Sequence, residues 1–474
     1  MSWLESSPVT GHRRGLRAGG AIAVALVLAL LTSACSTVIS GHGTSALPPV
    51  APDAKIDING SADSAFDTHA GNAIADVIAF WQQTYPQVSG GDSLPPLTGG
   101  IYSVDPEDIT SGDKKDACVA RDPEAIKDNA FYCTLDDSIA YSRTGFLPEL
   151  ADQYGDFFVA MMFAHEFGHA IQHRLDIADP PSLIILETQA DCFAGAFLGS
   201  VLDLKAPHWR VSSEQLNQVL IGYIQLRDPE GSSQQDEGSH GNGFDRLSAV
   251  ADGINHGAKF CTTDWDQRQF TERPYTSQQD YENQGNQPLA DVLDPSPATS
   301  SGGGGGLQPD LNAYWEQEAK SIGKTFKDVN FKVVDSVPCG KADSQAEFAY
   351  CPNDNTVYIT QDVAKQAYGA GDFALGTVIA YGWGMAVRHQ LFGRELTSRD
   401  ALLAAACYTG AYAKDINVDQ GARGFTLSPP DMDEATVATL SMVGSVLTFG
   451  PRDTTGLQRI SSFNKGYFNG LSAC

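Results

Sequence analysis

The sequence predicts an α+β protein that is mainly helical and in which one fold occurs twice. Apolar residues recur with helical periodicity in four segments, at residues 150–175, 183–202, 373–390 and 399–414. Strand-like patterns precede each pair of helices, at residues 131–141 and 356–360. A chain of 474 residues is long enough for two or three domains with buried cores.

The internal repeat is the observation that divides the chain. Five segments recur in the same order: Phe80–Gln83 as Tyr314–Gln317, Ala130–Cys133 as Phe348–Cys351, Ala164–Leu175 as Ala380–Leu391, Asp191–Ala196 as Ala406–Ala411, and Arg246–Cys261 as Arg459–Cys474. Because the cysteines stay in register, shared helical composition does not explain the match. The sequence therefore predicts a duplication.

The N-terminus has the features of an export signal. Arg13, Arg14 and Arg17 precede an apolar stretch at residues 21–31, which is short for a membrane-spanning helix. Leu-Thr-Ser-Ala before Cys35 resembles the lipobox of bacterial lipoproteins, although a threonine replaces the usual aliphatic residue. The resemblance implies cleavage before Cys35, acylation of its thiol and attachment to the extracytoplasmic face of the cell membrane. A plain signal peptide that ends near a cysteine is the alternative.

Composition supplies the remaining boundaries. Serine, glycine, proline and alanine dominate the segment after Cys35, and five glycines mark a second linker. We predict five regions: signal peptide 1–34, lipid-anchored tether 35–62, first copy 63–294, linker 295–306 and second copy 307–474. The two copies could pack together as an intramolecular pseudo-dimer.

Charge and cysteines fit an exported protein. The formal net charge of −27 disfavours nucleic acid as a partner, because phosphate is repelled. In an oxidising compartment the cysteines other than Cys35 are expected to form disulfides. The repeat makes one pairing the simplest, since both copies then use the same two bridges: Cys118–Cys133, Cys192–Cys261, Cys339–Cys351 and Cys407–Cys474.

A candidate zinc site lies in the first copy. His165-Glu166-Phe167-Gly168-His169 is an H-E-x-x-H motif within a predicted helix. Residues four apart share one helix face, so both imidazoles can bind one Zn²⁺ ion. Glu166 lies one residue further round, where a carboxylate can take a proton from the attacking water and return it to the leaving amine.

The next helix offers a third ligand. Glu187 and Asp191 lie on one face of it, and we expect Glu187 to bind the metal. Asp191 would accept the second ring N–H of a ligating histidine and fix its tautomer. The alternative for both acids is a solvated helix face.

Together, HEFGHAIQ and ETQADCFAG make the chain resemble the bacterial neutral zinc metallopeptidase family. The resemblance covers residues 67–261 and includes Ala130–Cys133 and Ser239-His240-Gly241. It implies a zincin-like fold and hydrolysis of peptide bonds in a peptide or protein substrate. His240 then becomes a candidate for supporting the ligands or stabilising the oxyanion; a surface loop histidine is the alternative.

The second copy lacks every residue proposed for metal binding or proton transfer. Tyr381, Gly382, Met385, Leu402 and Ala406 stand where the first copy has His165, Glu166, His169, Glu187 and Asp191. Asp453 stands, less securely, in the place of His240. The aromatic, glycine and cysteine positions persist, so we expect a degenerate copy that binds no zinc.

Three functions fit these features. The first is an exported zinc peptidase. The second is a non-catalytic envelope lipoprotein, a binding or assembly factor on a peptidase fold; intact Glu166 argues against it, because structural zinc sites need no base. The third, a zinc amidase that acts on cell-wall peptides, differs from the first in substrate.

Overall fold

A computed structural model describes residues 47–62, 64–177, 182–236, 238–297, 305–339, 347–419, 423–442 and 454–474. The predicted signal peptide, Cys35 and Asp453 lie outside these residues, as do the first part of the tether and most of the glycine linker. Leu47–Cys474 forms one compact unit. In the described part of the chain, no helix has the length and apolar character needed to cross a membrane.

Helices make up most of this unit, as the predicted α+β class requires. They are α1 Ala65–Val88, α2 Ala117–Arg121, α3 Phe146–Tyr154, α4 Asp156–Arg174, α5 Leu183–Leu202, α6 Ser213–Gln225, α7 Gly243–His256, α8 Ala258–Cys261, α9 Gln278–Glu282, α10 Leu289–Val292, α11 Leu307–Ser321, α12 Gln361–Tyr368, α13 Asp372–Phe392, α14 Arg399–Asp419, α15 Asp431–Val437 and α16 Gly456–Asn469. Short 3-10 turns and one π-helical turn, Ala438–Met442, complete the helical structure.

Two small sheets have the same topology. The strands are β1 Gly100–Val104, β2 Ala130–Cys133, β3 Ser138–Ser142, β4 Asn330–Val334, β5 Phe348–Cys351 and β6 Thr356–Thr360. The first sheet has the order β1-β3-β2 and the second β4-β6-β5. In each, the central strand pairs in parallel with the first strand and antiparallel with the hairpin partner.

Two predicted elements differ from the structure. The segment 131–141 is a hairpin, β2 and β3, because Asp137 adopts φ 60° and turns the chain. The helix predicted over 150–175 is divided into α3 and α4 at Gly155, where φ is 88°. Periodicity was continuous through both points, and the positive φ at each position changes the chain direction.

The long helices of the two halves pack alike. A Cβ added to Gly195 on α5 would lie 2.1 Å from the Val250 carbonyl oxygen on α7. A Cβ added to Gly410 on α14 would lie 2.0 Å from the Phe463 carbonyl oxygen on α16. Glycine thus permits the same close helix contact in each half. The four predicted disulfides are present, and two of them, Cys192–Cys261 and Cys407–Cys474, connect these helix pairs to the segments that follow.

Part of the segment predicted as a tether contacts the first half. Residues 47–62 lie on the first half and bond to it: the amide of Ala54 donates to Asn72 Oδ1, and Asn59 pairs with β1 next to Ile101. Serine-, glycine- and proline-rich composition does not reveal such backbone contacts. For the part of the tether that lies outside the described residues, the expectation stays a prediction.

Candidate metal centre

Close packing of α4 on α5 forms the site. A Cβ added to Gly168 would lie 3.0 Å from the Cα of Ala190, so this glycine lets the two helices approach. His165, Glu166 and His169 on α4 thereby face Glu187 on α5. The predicted helical spacing and the predicted helix pair are both observed.

Three side chains converge on one point. His165 Nε2 lies 3.2 Å from His169 Nε2 and 3.2 Å from Glu187 Oε2. His169 Nε2 lies 3.5 Å from Glu187 Oε1. Two ligand atoms about 2.1 Å from a tetrahedral zinc ion would lie about 3.4 Å apart. The spacing therefore fits zinc.

Hydrogen bonds at the other ring nitrogen orient both imidazoles. His165 Nδ1 lies 2.8 Å from Asp191 Oδ1, and His169 Nδ1 lies 2.9 Å from Gln172 Oε1. The Gln172 amide donates to the Leu186 carbonyl oxygen, which leaves its own oxygen for His169. With the protons at Nδ1, both Nε2 lone pairs point to the shared centre.

The centre attracts positive charge. Glu187 Oε2 is buried and accepts no hydrogen bond from the described residues, although it lies 3.2 Å from His165 Nε2. Burial lowers the pKa of His165, but the Asp191 carboxylate more than offsets burial, and the pKa is raised to about 10. The buried Glu187 carboxylate favours a cation at this point, and two imidazoles with a carboxylate are a suitable donor set for zinc.

Arg246 on α7 completes the support of His165. Its Nε donates to Asp191 Oδ2 at 2.8 Å, and its Nη2 donates to Asp191 Oδ1 at 3.0 Å. Burial raises the pKa of Asp191, but the charges of Arg246 and His165 outweigh it and hold the pKa below its usual value. Sequence reasoning assigned Arg246 no role; its retention in the second half as Arg459 was the available signal.

Glu166 is held beside the centre by the first sheet. Its Oε2 accepts a hydrogen bond from the Tyr132 amide of β2 at 3.0 Å, and only 7% of the residue is exposed. Burial raises the pKa of Glu166, against the opposing charges of His165 and His169. A carboxylate with a raised pKa is suited to taking up and releasing a proton.

His240 approaches from a separate loop. Its Nε2 lies 3.9 Å from Glu187 Oε2, and its Nδ1 lies 3.6 Å from Asp228 Oδ1. Asp228 Oδ2 accepts hydrogen bonds from the amides of His240 and Gly241 at 2.7 and 2.8 Å. His240 is thus fixed in backbone while 49% of its side chain remains exposed. Asp228 was missed, since it lies twelve residues away and belongs to no recognised motif.

A cleft of about 430 Å³, bordered on one side by β2, is lined by His165, Glu166, His169, Glu187 and His240. A larger cleft, of about 1060 Å³, lies between α7 and α16 and contains none of them. We take the smaller cleft as the site, because convergent polar groups distinguish functional pockets better than volume does.

The equivalent positions of the second half contain no such set. Tyr381, Met385 and Leu402 are buried among apolar side chains. A different group of three carboxylates, Asp372, Asp431 and Glu434, lies elsewhere in this half. The predicted absence of zinc from residues 307–474 stays a prediction.

Comparisons with known proteins found a family profile in the second half and two similar proteins in Escherichia coli. Residues 307–399 match the profile of the family described as "Putative neutral zinc metallopeptidase". Uncharacterized protein YpfJ of Escherichia coli K12, and its counterpart in Escherichia coli O6:H1, are each 29% identical over 188 residues, which is 33% of this chain. The chain spans 63% of the length of these relatives. No solved structure gives a significant match.

The family match implies zinc as the cofactor. It lies in the second half and ends at Arg399, the first residue of α14. It therefore does not include the H-E-x-x-H motif at residues 165–169 of the first half. The residues that could bind the metal are therefore identified by the geometry of the first half.

Proposed function

We propose that this chain is an exported, lipid-anchored zinc peptidase whose ligands are His165, His169 and Glu187. The observation that carries the proposal is the convergence of two Nε2 atoms and a carboxylate at 3.2–3.5 Å. When bound, zinc would act as a Lewis acid on the substrate carbonyl and would lower the pKa of the attacking water. Export and acylation of Cys35 are inferred from the N-terminal sequence.

The surrounding residues supply the remaining chemistry. Glu166, anchored on the Tyr132 amide, takes the proton of the attacking water and delivers it to the leaving amine. His240, backed by Asp228, stabilises the negative charge that develops on the carbonyl oxygen. The edge strand β2 borders the cleft, so an extended peptide could bind along it.

We further propose that the second half is a degenerate duplicate. Tyr350 Oη donates to Asn355 as Tyr132 Oη donates to Asp137, and Asn355 and Asp137 both adopt positive φ. Arg459, the counterpart of Arg246, is 5% exposed, but Ala406 replaces its acidic partner.

The hydrogen bonds of Arg459 are consistent with loss of the carboxylate partner that Arg246 has in the first half. Its guanidinium donates to the backbone carbonyl oxygens of Thr439, Leu440 and Thr454. A buried cation without a carboxylate is costly, and this one is held by carbonyl dipoles near the π-helical turn. Such an arrangement is expected where a former ion pair has lost one member.

Cleavage of a diverse peptide library, with cell-wall peptides included, tests the proposed activity. We expect the wild-type chain to cut peptide bonds. A chelator should abolish cleavage and added zinc should restore it, because zinc supplies the Lewis acid that the reaction needs. Cleavage of cell-wall peptides alone would favour the amidase function.

One observation favours a non-catalytic binding protein as the second candidate: the family match falls on the half without the ligand set. A chain that holds one zinc ion but cuts no peptide in this library would contradict the peptidase and support that candidate.

Asp191 provides a graded test of zinc binding. Asp191→Asn removes the charge that holds the His165 proton at Nδ1, and we expect zinc affinity to fall roughly 10–100-fold. Competition with a chromophoric chelator measures it. Asp310→Asn is a matched control, since Asp310 is also 2% exposed or less and bonded to an arginine, but lies in the second half. Equal affinity in the Asp191 variant and the wild type would refute the role of Asp191.

A further inference from the structure

One acidic residue of the second half contacts both ends of a first-half segment. Asp433, in the first turn of α15, is 2% exposed. Its Oδ2 accepts a hydrogen bond from Arg227 Nη1 at 3.0 Å, and its Oδ1 accepts one from the Phe244 amide at 2.7 Å. We call the described residues between these two contacts, 227–236 and 238–244, the bridging segment.

The bridging segment brings His240 to the metal centre. Asp228 connects the two ends of this loop by hydrogen bonds. Its amide donates to the Gly241 carbonyl oxygen at 3.1 Å, and its carboxylate accepts from the amides of His240 and Gly241. Asp433 bonds to Arg227, and Arg227 directly precedes Asp228, the residue that supports His240.

The other end of the bridging segment begins α7. Asp433 accepts the Phe244 amide, one of the donors that a helix N-terminus leaves without an intrahelical acceptor. The Phe244 ring packs against Tyr467 of α16, with 4.9 Å between ring centroids, within the core of the second half. Arg246, which orients Asp191 and through it His165, lies two residues further along α7.

A buried carboxylate is costly unless it is paired and hydrogen-bonded, and Asp433 obtains both kinds of partner from the bridging segment. Among the described residues, Arg227 has one other acidic partner, Glu230 of the first half. Glu230 is exposed, so its ion pair does not replace the buried contact with Asp433. The second half therefore determines where both ends of the bridging segment lie.

We propose that Asp433 is a positioning residue, through which the second half holds His240 and Arg246 in register with the metal centre. The inference rests on the proposed peptidase function and gives the second half a task that needs no metal ligands. Among the residues that the structure describes, Asp433 bonds to no metal ligand and to no residue that lines the cleft; it acts through the bridging segment.

Asp433→Asn, with Asp310→Asn as the control, tests the anchoring. Asp310 matches Asp433 closely: it is 2% exposed, pairs with Arg423 and accepts the Phe425 amide, but it contacts no part of the bridging segment. We expect faster hydrogen exchange at residues 239–244 in the Asp433 variant and unchanged exchange there in the control. Arg227→Met should reproduce the effect if the Asp433 variant folds poorly. Unchanged exchange in both Asp433→Asn and Arg227→Met would overturn the proposal.

Kinetics decide whether the anchoring serves catalysis. We expect Asp433→Asn to lower kcat roughly 10–100-fold with one zinc ion still bound and KM changed less, because misplacement of a supporting group acts mainly in the transition state. In a His240→Ala background the same substitution should cost less, because only its effect through Arg246 then remains. Full additivity would assign Asp433 a structural role alone and contradict the proposal.

The two proposals fail in different ways. If the wild-type chain cuts no peptide, the peptidase function fails, whereas the exchange experiment still decides the anchoring. If the wild type cuts peptides and Asp433→Asn leaves kcat, KM and exchange at the control's values, the peptidase function stands and the role of Asp433 fails.

Discussion

Glu166→Gln should abolish most peptide hydrolysis and leave zinc bound. Glutamine keeps an oxygen that can accept the Tyr132 amide, now 3.0 Å from Glu166 Oε2, so the cleft should keep its shape. It cannot accept the proton of the attacking water. We expect kcat to fall by roughly 10²–10⁴-fold, the usual contribution of a general base, while KM changes little. Steady-state cleavage of a library-derived peptide measures both constants.

Glu149→Gln is a suitable control, because Glu149 lies in the first turn of the preceding helix α3 and outside the metal centre. It should retain wild-type kcat. Wild-type activity in Glu166→Gln, with zinc present, would show that another group carries the proton and would refute the assigned role of Glu166.

Loss of a ligand should have the largest effect of all. His165→Ala and His169→Ala each remove one of three protein ligands, so we expect zinc binding to weaken by far more than the roughly 10–100-fold that loss of a supporting partner costs. Purified wild-type chain should contain about one zinc ion and each variant close to none, in line with a three-ligand site. Elemental analysis after dialysis against a weak chelator measures the content.

His173→Ala controls for histidine removal on the same helix. His173 lies one turn beyond His169, and its ring lies 6.1 Å from that of Tyr132 rather than at the metal centre. The zinc content of the His173→Ala variant should equal that of the wild type. Equal zinc in the wild type, His165→Ala and His169→Ala would exclude the proposed ligand set.

Local spacing made the centre predictable. Two histidines four residues apart on a helix must share a face, and Glu187 and Asp191 do so on the next helix. The sequence therefore predicted that these side chains converge, and the structure brings them together. The repeat likewise predicted the disulfide pairs, because each half had to use equivalent cysteines.

Contacts between distant segments were not predictable from spacing. Asp228 supports His240 across a loop, and Asp433 contacts residues 189 and 206 positions away. No periodicity encodes such distances; they follow from how α15 packs against α7. The hairpin turn at Asp137 was missed for a different reason, since its positive φ belongs to a residue type that is common in strand irregularities as well as turns.

The second half gains a physical explanation from the same contacts. Its equivalent ligand positions hold tyrosine, methionine and leucine, which pack as core residues. Two of its residues contact Phe244 of the first half: Asp433 accepts the Phe244 amide, and the Tyr467 ring packs against the Phe244 ring. If the second half is a degenerate duplicate, as we propose, it would be retained because the neighbouring site depends on its packing.

Anomalous diffraction at the zinc absorption edge, from crystals of the zinc-loaded chain, tests the central claim most directly. The account predicts one strong peak within about 2.0–2.2 Å of His165 Nε2, His169 Nε2 and a Glu187 carboxylate oxygen. Zinc bound elsewhere, with the Glu187 side chain turned away from the two imidazoles, would contradict it.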